Sequence, residues 1–233
     1  MDCTIYLIPG VGANDKIFQN LDLPDAEIVH LKWPRHKKKE SIQDYVKKLL
    51  PQIRKDTKPV LIGMSFGGIV ATELAKLINP HKVILISTIK TYHERPFKIM
   101  FMNSVKFHRL IPGKLVLNLR FWMQWVLGKL NRHDFDLIEE MIEAIDIDFN
   151  EWAVDQVVHW KNEEIPANVV HIHGTRDRIF PRAYIHEPCH WIKGGTHFMV
   201  VNRAKEISKI IKRELASARL VKMGTRKPLK KAS

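Results

Sequence analysis

The 233 residues are 45% hydrophobic and 27% charged, proportions of one large globular domain or of a domain with an insertion, and not of a fibrous or disordered chain. Two cysteines, Cys3 and Cys189, exclude a disulfide framework and show no metal-knuckle spacing, which favours a reducing compartment. The formal charge of +13 is local: Lys32, Arg35, Lys37, Lys38 and Lys39, with Arg219, Lys222, Arg226, Lys227, Lys230 and Lys231, supply eleven cations and leave +2 for the rest. This basic loop and tail suit contact with anionic surfaces. No aromatics are interleaved with the cations, so no dedicated nucleic-acid partner is expected.

In chain order, Thr4 to Ile8 is the first strand, entered directly from an N-terminus without the basic flank of a secretory signal. No apolar run reaches the roughly eighteen residues that span a bilayer, and the expected location is cytoplasmic. Glu27 to Leu31 is the second strand. Ser41 and Asp44 read as an N-cap with its partner, followed by Ile42, Tyr45, Val46 and Leu49 at helical spacing up to Pro51. Val60 to Met64 and Val83 to Ser87 are almost continuously apolar, as parallel strands covered on both faces are. Between them Ile69 to Ile78 predicts a helix stopped by Asn79 and Pro80.

The alternation then breaks from Tyr92 to Ile165, too long for a simple crossover. That stretch holds Phe97, Phe101, Phe107, Phe121, Phe135 and Phe149 with Trp122, Trp125, Trp152 and Trp160. Leu137, Ile138, Met141 and Ile142 repeat at helical spacing, ending before a turn-like Asp146 to Asn150. It reads as an inserted helical subdomain whose aromatics form its own core and partly line a cavity. Val169 to Ile172 and His190 to Lys193 complete six strands. A last helix starts near Asn202, with Ala204, Ile207, Ile211 and Leu215 on its apolar side. The expected division is a core of residues 1–91 and 166–223, an insertion of 92–165, and a flexible basic tail of 224–233.

The sharpest local signal is Gly63-Met64-Ser65-Phe66-Gly67-Gly68, directly after an apolar strand and before a helix. Such a turn projects the Ser65 hydroxyl, and the helix N-terminus aims free N–H groups at the same point. Gly63 and Gly67 avoid collision across the turn, and Gly68 lets the helix approach neighbouring backbone. A serine hydroxyl needs a base, and the base an orienting carboxylate. Asp177 follows the fifth strand in His173-Gly174-Thr175-Arg176-Asp177, and His197 follows the sixth in Gly194-Gly195-Thr196-His197. Both loops lie at C-terminal strand ends, where open parallel sheets collect ligands. His173 is better suited to a turn-stabilising hydrogen bond and His171 to a strand. Asp15 comes too early, and Asp146 and Asp148 suit caps or surface. The loop Pro9 to Asn14 offers the N–H of Val11, to pair with that of Phe66, for an oxyanion. Its glycines lack the spacing of a dinucleotide site, no P-loop occurs, and no metal-ligand cluster is visible.

Together Thr4 to Gly12, Leu61 to Gly68, His173 to Asp177 and Gly194 to Phe198 resemble the α/β-hydrolase superfamily over nearly the whole chain. The resemblance implies Ser65 as nucleophile, Asp177 as acid, His197 as base, Val11 and Phe66 as oxyanion donors, a cap over the site, and no cofactor or metal. It implies a fold of class α/β with a reduced six-stranded parallel sheet, since the two strands that precede the Pro9-Gly10 loop in relatives are missing. Pro9 also replaces a histidine common there. The implied activity is hydrolysis of a small or medium apolar carboxylic ester or thioester. The same residues also serve carbon–carbon, amide and lactone hydrolases, and the fold also serves non-catalytic ligand-binding proteins. A serine at the turn argues against a dehalogenase, which needs a carboxylate there.

Overall fold

The computed structural model describes residues 3–97, 132–143 and 146–224. Phe101, Phe107, Phe121, Trp122, Trp125 and the tail beyond Gly224 lie outside the described residues. Six parallel strands, β1 (Cys3–Ile8), β2 (Glu27–His30), β3 (Lys58–Met64), β4 (Lys82–Ile86), β5 (Val169–Gly174) and β6 (His190–Ile192), form one sheet in the order β2-β1-β3-β4-β5-β6. The order runs outward from β1 in both directions, so the chain reverses its direction of growth between β2 and β3. The C-terminal ends of β1 and β3 then lie side by side, Ile8 opposite Gly63, and open the crevice where ligands of such sheets bind.

Alternation along the strands divides the interior into two clusters. Tyr6, Ile8, Leu61, Val83 and Leu85 pack on one face against α1 (Ile42–Lys47) and α2 (Phe66–Ile78). Ile5, Leu7, Val60, Ile62, Ile84, Val170 and Ile172 pack on the other against two short-coupled helices, α5 (Met199–Asn202) and α6 (Ala204–Gly224). Ala204, Ile207, Ile211 and Leu215 are buried along one side of α6, at the spacing the sequence shows.

The insertion between β4 and β5 has two α-helices among its described residues, one packed into each cluster. Its helix α3 (Arg132–Glu143) sends Leu137 and Met141 into the second cluster, and its helix α4 (Ile147–His159) sends Phe149, Trp152 and Val157 into the first. Four local expectations need correction. Asp146 to Asn150 is the start of α4 and not a turn: Asp146 is the N-cap, and its Oδ1 accepts the N–H of Phe149 at 3.1 Å. The segment reads as a turn because two aspartates and an asparagine crowd it, yet these residues also favour N-caps. Helix α1 stops at Lys47, and Pro51 sits inside a separate 3-10 turn, Leu50–Gln52, where its missing N–H is not needed. Helix α2 starts at Phe66, three residues before the expected Ile69. The final helix is broken at Arg203, which separates α5 from α6.

Candidate active site

The turn from β3 into α2 leaves Ser65 at φ 53° and ψ −123°, a conformation that costs a side-chain-bearing residue about 1–3 kcal/mol. Its backbone is fully tied down. The Ser65 N–H donates to Ile86 O at 3.0 Å, and Ser65 O accepts the Gly68 N–H at 2.9 Å and the Thr88 hydroxyl at 2.6 Å. The glycines around it mark close approaches. A Cβ at Gly63 would stand 2.3 Å from Gly67 O, across the turn, as its sequence context suggests. One at Gly67 would stand 2.2 Å from Ile8 O, so its constraint comes from β1 and not from the turn itself. One at Gly68 would meet the Thr88 side chain at 2.4 Å, which corrects the expectation of a close neighbouring backbone.

Asp177 and His197 reach this point from the loops after β5 and β6. His197 Nδ1 lies 2.9 Å from Asp177 Oδ2, and His197 Nε2 lies 3.0 Å from Ser65 Oγ. A buried carboxylate beside Nδ1 requires the proton there, so Nε2 is left to accept the Ser65 hydroxyl. The other oxygen of Asp177, Oδ1, accepts the N–H groups of Ile179 and Phe180 at 2.8 and 2.9 Å. Burial pushes the Asp177 carboxyl up, but His197, His173 and the Phe180 N–H outweigh it and hold it below the ordinary carboxylate value.

Gly10 lies against the serine, where a Cβ would come within 3.1 Å of Ser65 Cβ. The loop it opens is tight, with Ala13 N–H donating to Gly10 O at 3.2 Å and Gly12 at φ 69°. Val11 therefore stands in the segment that faces Ser65, and Phe66 is the first residue of α2, whose N–H has no partner within the helix. Asp15 is instead a surface residue, ion-paired to Lys32 at 3.0 Å.

The packing around Phe66 is aromatic and comes from three distant segments. Trp33 lies 5.8 Å from the Phe66 ring and 5.4 Å from Phe149, while Trp152 lies 4.5 Å from Tyr45 and stacks on His36 at 5.4 Å. The basic segment Lys32 to Lys39 thus joins the active rim and the cap. Trp152 Nε1 donates to Glu40 O at 2.9 Å, and the Tyr45 hydroxyl to Pro34 O at 2.8 Å. Among the described residues the Trp33 indole N–H is buried without a hydrogen-bond partner. This contact between residues 33 and 149 carries no sequence signal, since an isolated Trp in a lysine-rich loop has no periodicity to read.

Among the described residues, no group of three or more His, Cys, Asp or Glu is arranged to hold a metal ion, and no helix is long and apolar enough to cross a membrane. The class defined by these features is a parallel α/β sheet with a strained serine at the crevice and a helical cap. The sequence profile of the alpha/beta hydrolase family matches residues 5–210, and the chain belongs to that family. No curated protein sequence matches it. Similar solved structures include a lipase-esterase related protein from Clostridium acetobutylicum, at 21% identity and a TM-score of 0.63 over 91% of this chain and 93% of that one. A bacterial membrane phospholipase A has 17% identity and a TM-score of 0.70 over 94% and 80%. A type II thioesterase of the yersiniabactin pathway has 15% identity and a TM-score of 0.63 over 93% and 94%. At these identities the likeness is one of fold.

Proposed function

We propose that the protein is a serine hydrolase that cleaves a small or medium apolar carboxylic ester or thioester through an acyl-enzyme. The observation that carries this reading is the unbroken row Ser65 Oγ, His197 Nε2, His197 Nδ1 and Asp177 Oδ2, with links of 3.0 and 2.9 Å. Ser65 Oγ attacks the substrate carbonyl while His197 Nε2 takes its proton, and Asp177 stabilises the resulting imidazolium. The N–H groups of Val11 and Phe66 hold the oxyanion, each worth about 3–4 kcal/mol by the measured loss of one such donor elsewhere. His197 then returns the proton to the leaving alcohol or thiol, and activates the water that frees the acid. No step calls on a metal or an organic cofactor.

The aromatic packing of Trp33, Phe149 and Trp152 around Phe66, next in sequence to Ser65, supports an apolar acyl group. The esterase and thioesterase names of similar structures support the same bond class. A cytoplasmic location belongs to this reading. The residue assignment and the division into core, cap at 92–165 and tail are part of the same proposal.

The test is labelling with a fluorophosphonate, followed by a series of p-nitrophenyl esters of graded chain length with thioesters in parallel. Wild-type protein is labelled at Ser65, and Ser65→Ala loses labelling and turnover by at least about 10⁴-fold while its Tm stays unchanged. Folded wild-type protein that takes no label would favour a non-catalytic ligand-binding role.

A further inference from the structure

Behind Asp177, away from Ser65, runs a second row of polar side chains that hydrolysis as described leaves unused. Glu94, Lys90, His171 and His173 are at most 2% exposed. Lys90 Nζ lies 2.9 Å from Glu94 Oε1 and 3.1 Å from His171 Nδ1, and it donates to His186 O. Glu94 also accepts the N–H groups of Lys90 and His186, at 2.6 and 2.8 Å, so the ion pair is closed on itself. His171 Nε2 lies 3.0 Å from Thr88 O and 3.3 Å from His173 Nδ1. His173 Nε2 lies 2.8 Å from Phe180 O and 3.4 Å from Asp177 Oδ2.

The proton positions follow from both ends. An ammonium can only donate, so His171 Nδ1 is an acceptor and its single proton sits on Nε2. That proton faces Thr88 O and His173 Nδ1, which makes His173 Nδ1 an acceptor too. The proton of His173 then sits on Nε2, facing Phe180 O and Asp177 Oδ2. Starting from the other end, the carbonyl and carboxylate beside His173 Nε2 demand the same tautomer. Burial, with Lys90 and His173 adding to it, keeps His171 well below the ordinary histidine value, and burial lowers His173 although Asp177 opposes it. Both rings are therefore neutral, as a single ordered row requires.

We infer that Lys90, His171 and His173 form a positioning relay for the proposed triad, in which one buried ammonium fixes the tautomers of two imidazoles and so fixes the seats of both Asp177 and Ser65. The acid branch runs through Phe180: His173 grips the carbonyl of the residue whose N–H holds Asp177 Oδ1. The nucleophile branch runs through Thr88: His171 grips its carbonyl, and its hydroxyl holds Ser65 O. The relay also reaches the cap, because Asn162, where the chain leaves the insertion, donates to Lys90 O at 3.1 Å and accepts the Tyr92 N–H at 2.9 Å. This assignment rests on the triad reading and adds positioning residues to it.

Two measurements test it in the full chain. The imidazole nitrogens of ¹⁵N-histidine protein, assigned with His171→Gln and His173→Gln, show His171 and His173 as neutral Nε2–H tautomers at and above the ordinary histidine value of about 6.5. The groups facing them are Lys90, Glu94, Asp177, His197 and, against the His173 backbone, Cys189, whose thiol burial pushes up to about 12. A proton on Nδ1 of either ring, or a doubly protonated ring at or above the ordinary histidine value, overturns the relay. In the second measurement, His173→Leu lowers kcat on the order of 10- to 100-fold, below the roughly 10⁴-fold that a mis-set base costs. Its KM changes little, and the low-field proton resonance of His197 Nδ1–H broadens or moves upfield. His173→Gln restores both, because its amide can still donate to Phe180 O. Unchanged kcat and resonance in His173→Leu, or His173→Gln as impaired as it, overturns the relay. Wild-type protein that a fluorophosphonate leaves unlabelled removes the triad reading instead, so the two failures are separable.

Discussion

The two faces of the sheet are built from different chemistry. Among the described residues, the cluster under α1, α2 and α4 buries seven aromatic rings, and the cluster under α5 and α6 buries one, Phe18. The buried rings Tyr6, Tyr45, Trp152 and Trp160 of the first face carry polar handles that find partners, while the partly buried Trp33 indole N–H beside them does not. Trp160 donates to Glu73 at 2.7 Å, and the Tyr6 hydroxyl accepts the Arg54 N–H at 2.8 Å. Alternation along β5 sends His171 and His173 to this same face, while Val170 and Ile172 go to the other. The aliphatic face is thus a support that needs only volume and burial, whereas the aromatic face must also satisfy directional bonds. Polar groups are costly to bury unpaired, and the buried histidines of β5 lie on the face where such partners are supplied.

This contrast can be broken by substitution. Phe149→Ala, which removes a ring touching Trp33, Tyr45, Phe66 and Trp152, lowers the unfolding free energy by about 3–5 kcal/mol. It also raises KM for the longest accepted p-nitrophenyl ester about tenfold or more; a loss of stability alone would make the two faces equivalent. Ile211→Ala, on the aliphatic face, costs about 2–5 kcal/mol in urea unfolding and leaves kcat/KM of the folded fraction unchanged. Smaller still is the effect of pH. Because the folded values of His171 and His173 are lowered, the unfolded chain binds more protons below its ordinary histidine value of about 6.5. Stability therefore falls as pH drops through that value toward the folded ones, by at most about 2.7 kcal/mol per pH unit for two such groups. Urea unfolding measured across this range shows the slope, and a His171→Gln, His173→Gln double variant, which keeps donors and acceptors but does not titrate, loses that part of it. Asp177 acts further down: its lowered value stabilises the fold above the unfolded carboxylate value of about 3.9, and that contribution is lost as pH falls through the folded one.

The six strands were legible because each is a short apolar run bounded by glycine, proline or charge. The meeting of Ser65, Asp177 and His197 was legible because glycine-built loops follow three of those runs, and parallel topology puts all such loops on one rim. What escaped has the same physical origin throughout, namely contact between residues far apart in sequence with no local periodicity. His171 and His173 alternate with Val170 and Ile172 just as ordinary half-polar strand residues do, and nothing near them announces Lys90. Trp33 reads as a lone aromatic among lysines until α4 is folded over it. Gly68 shows that a space is needed, though not that the Thr88 side chain fills it. At Asp146 the error was of another kind, since the residues that make turns are also those that cap helices.

The short outer strands of the sheet have a consequence for how copies of the molecule meet. Among the described residues, the outermost strands of the sheet are β2, of four residues, and β6, of three. An open margin presents unpaired backbone groups that can template another chain, and brevity is one of the ways natural sheets blunt this hazard. At β2 the first residue, Glu27, is clasped by Arg54 at 2.9 Å and by the Thr4 hydroxyl at 3.2 Å, so a charged pair flanks the shortened ribbon. Lengthening either margin with β-branched residues would turn a guarded border into a seam for fibril growth.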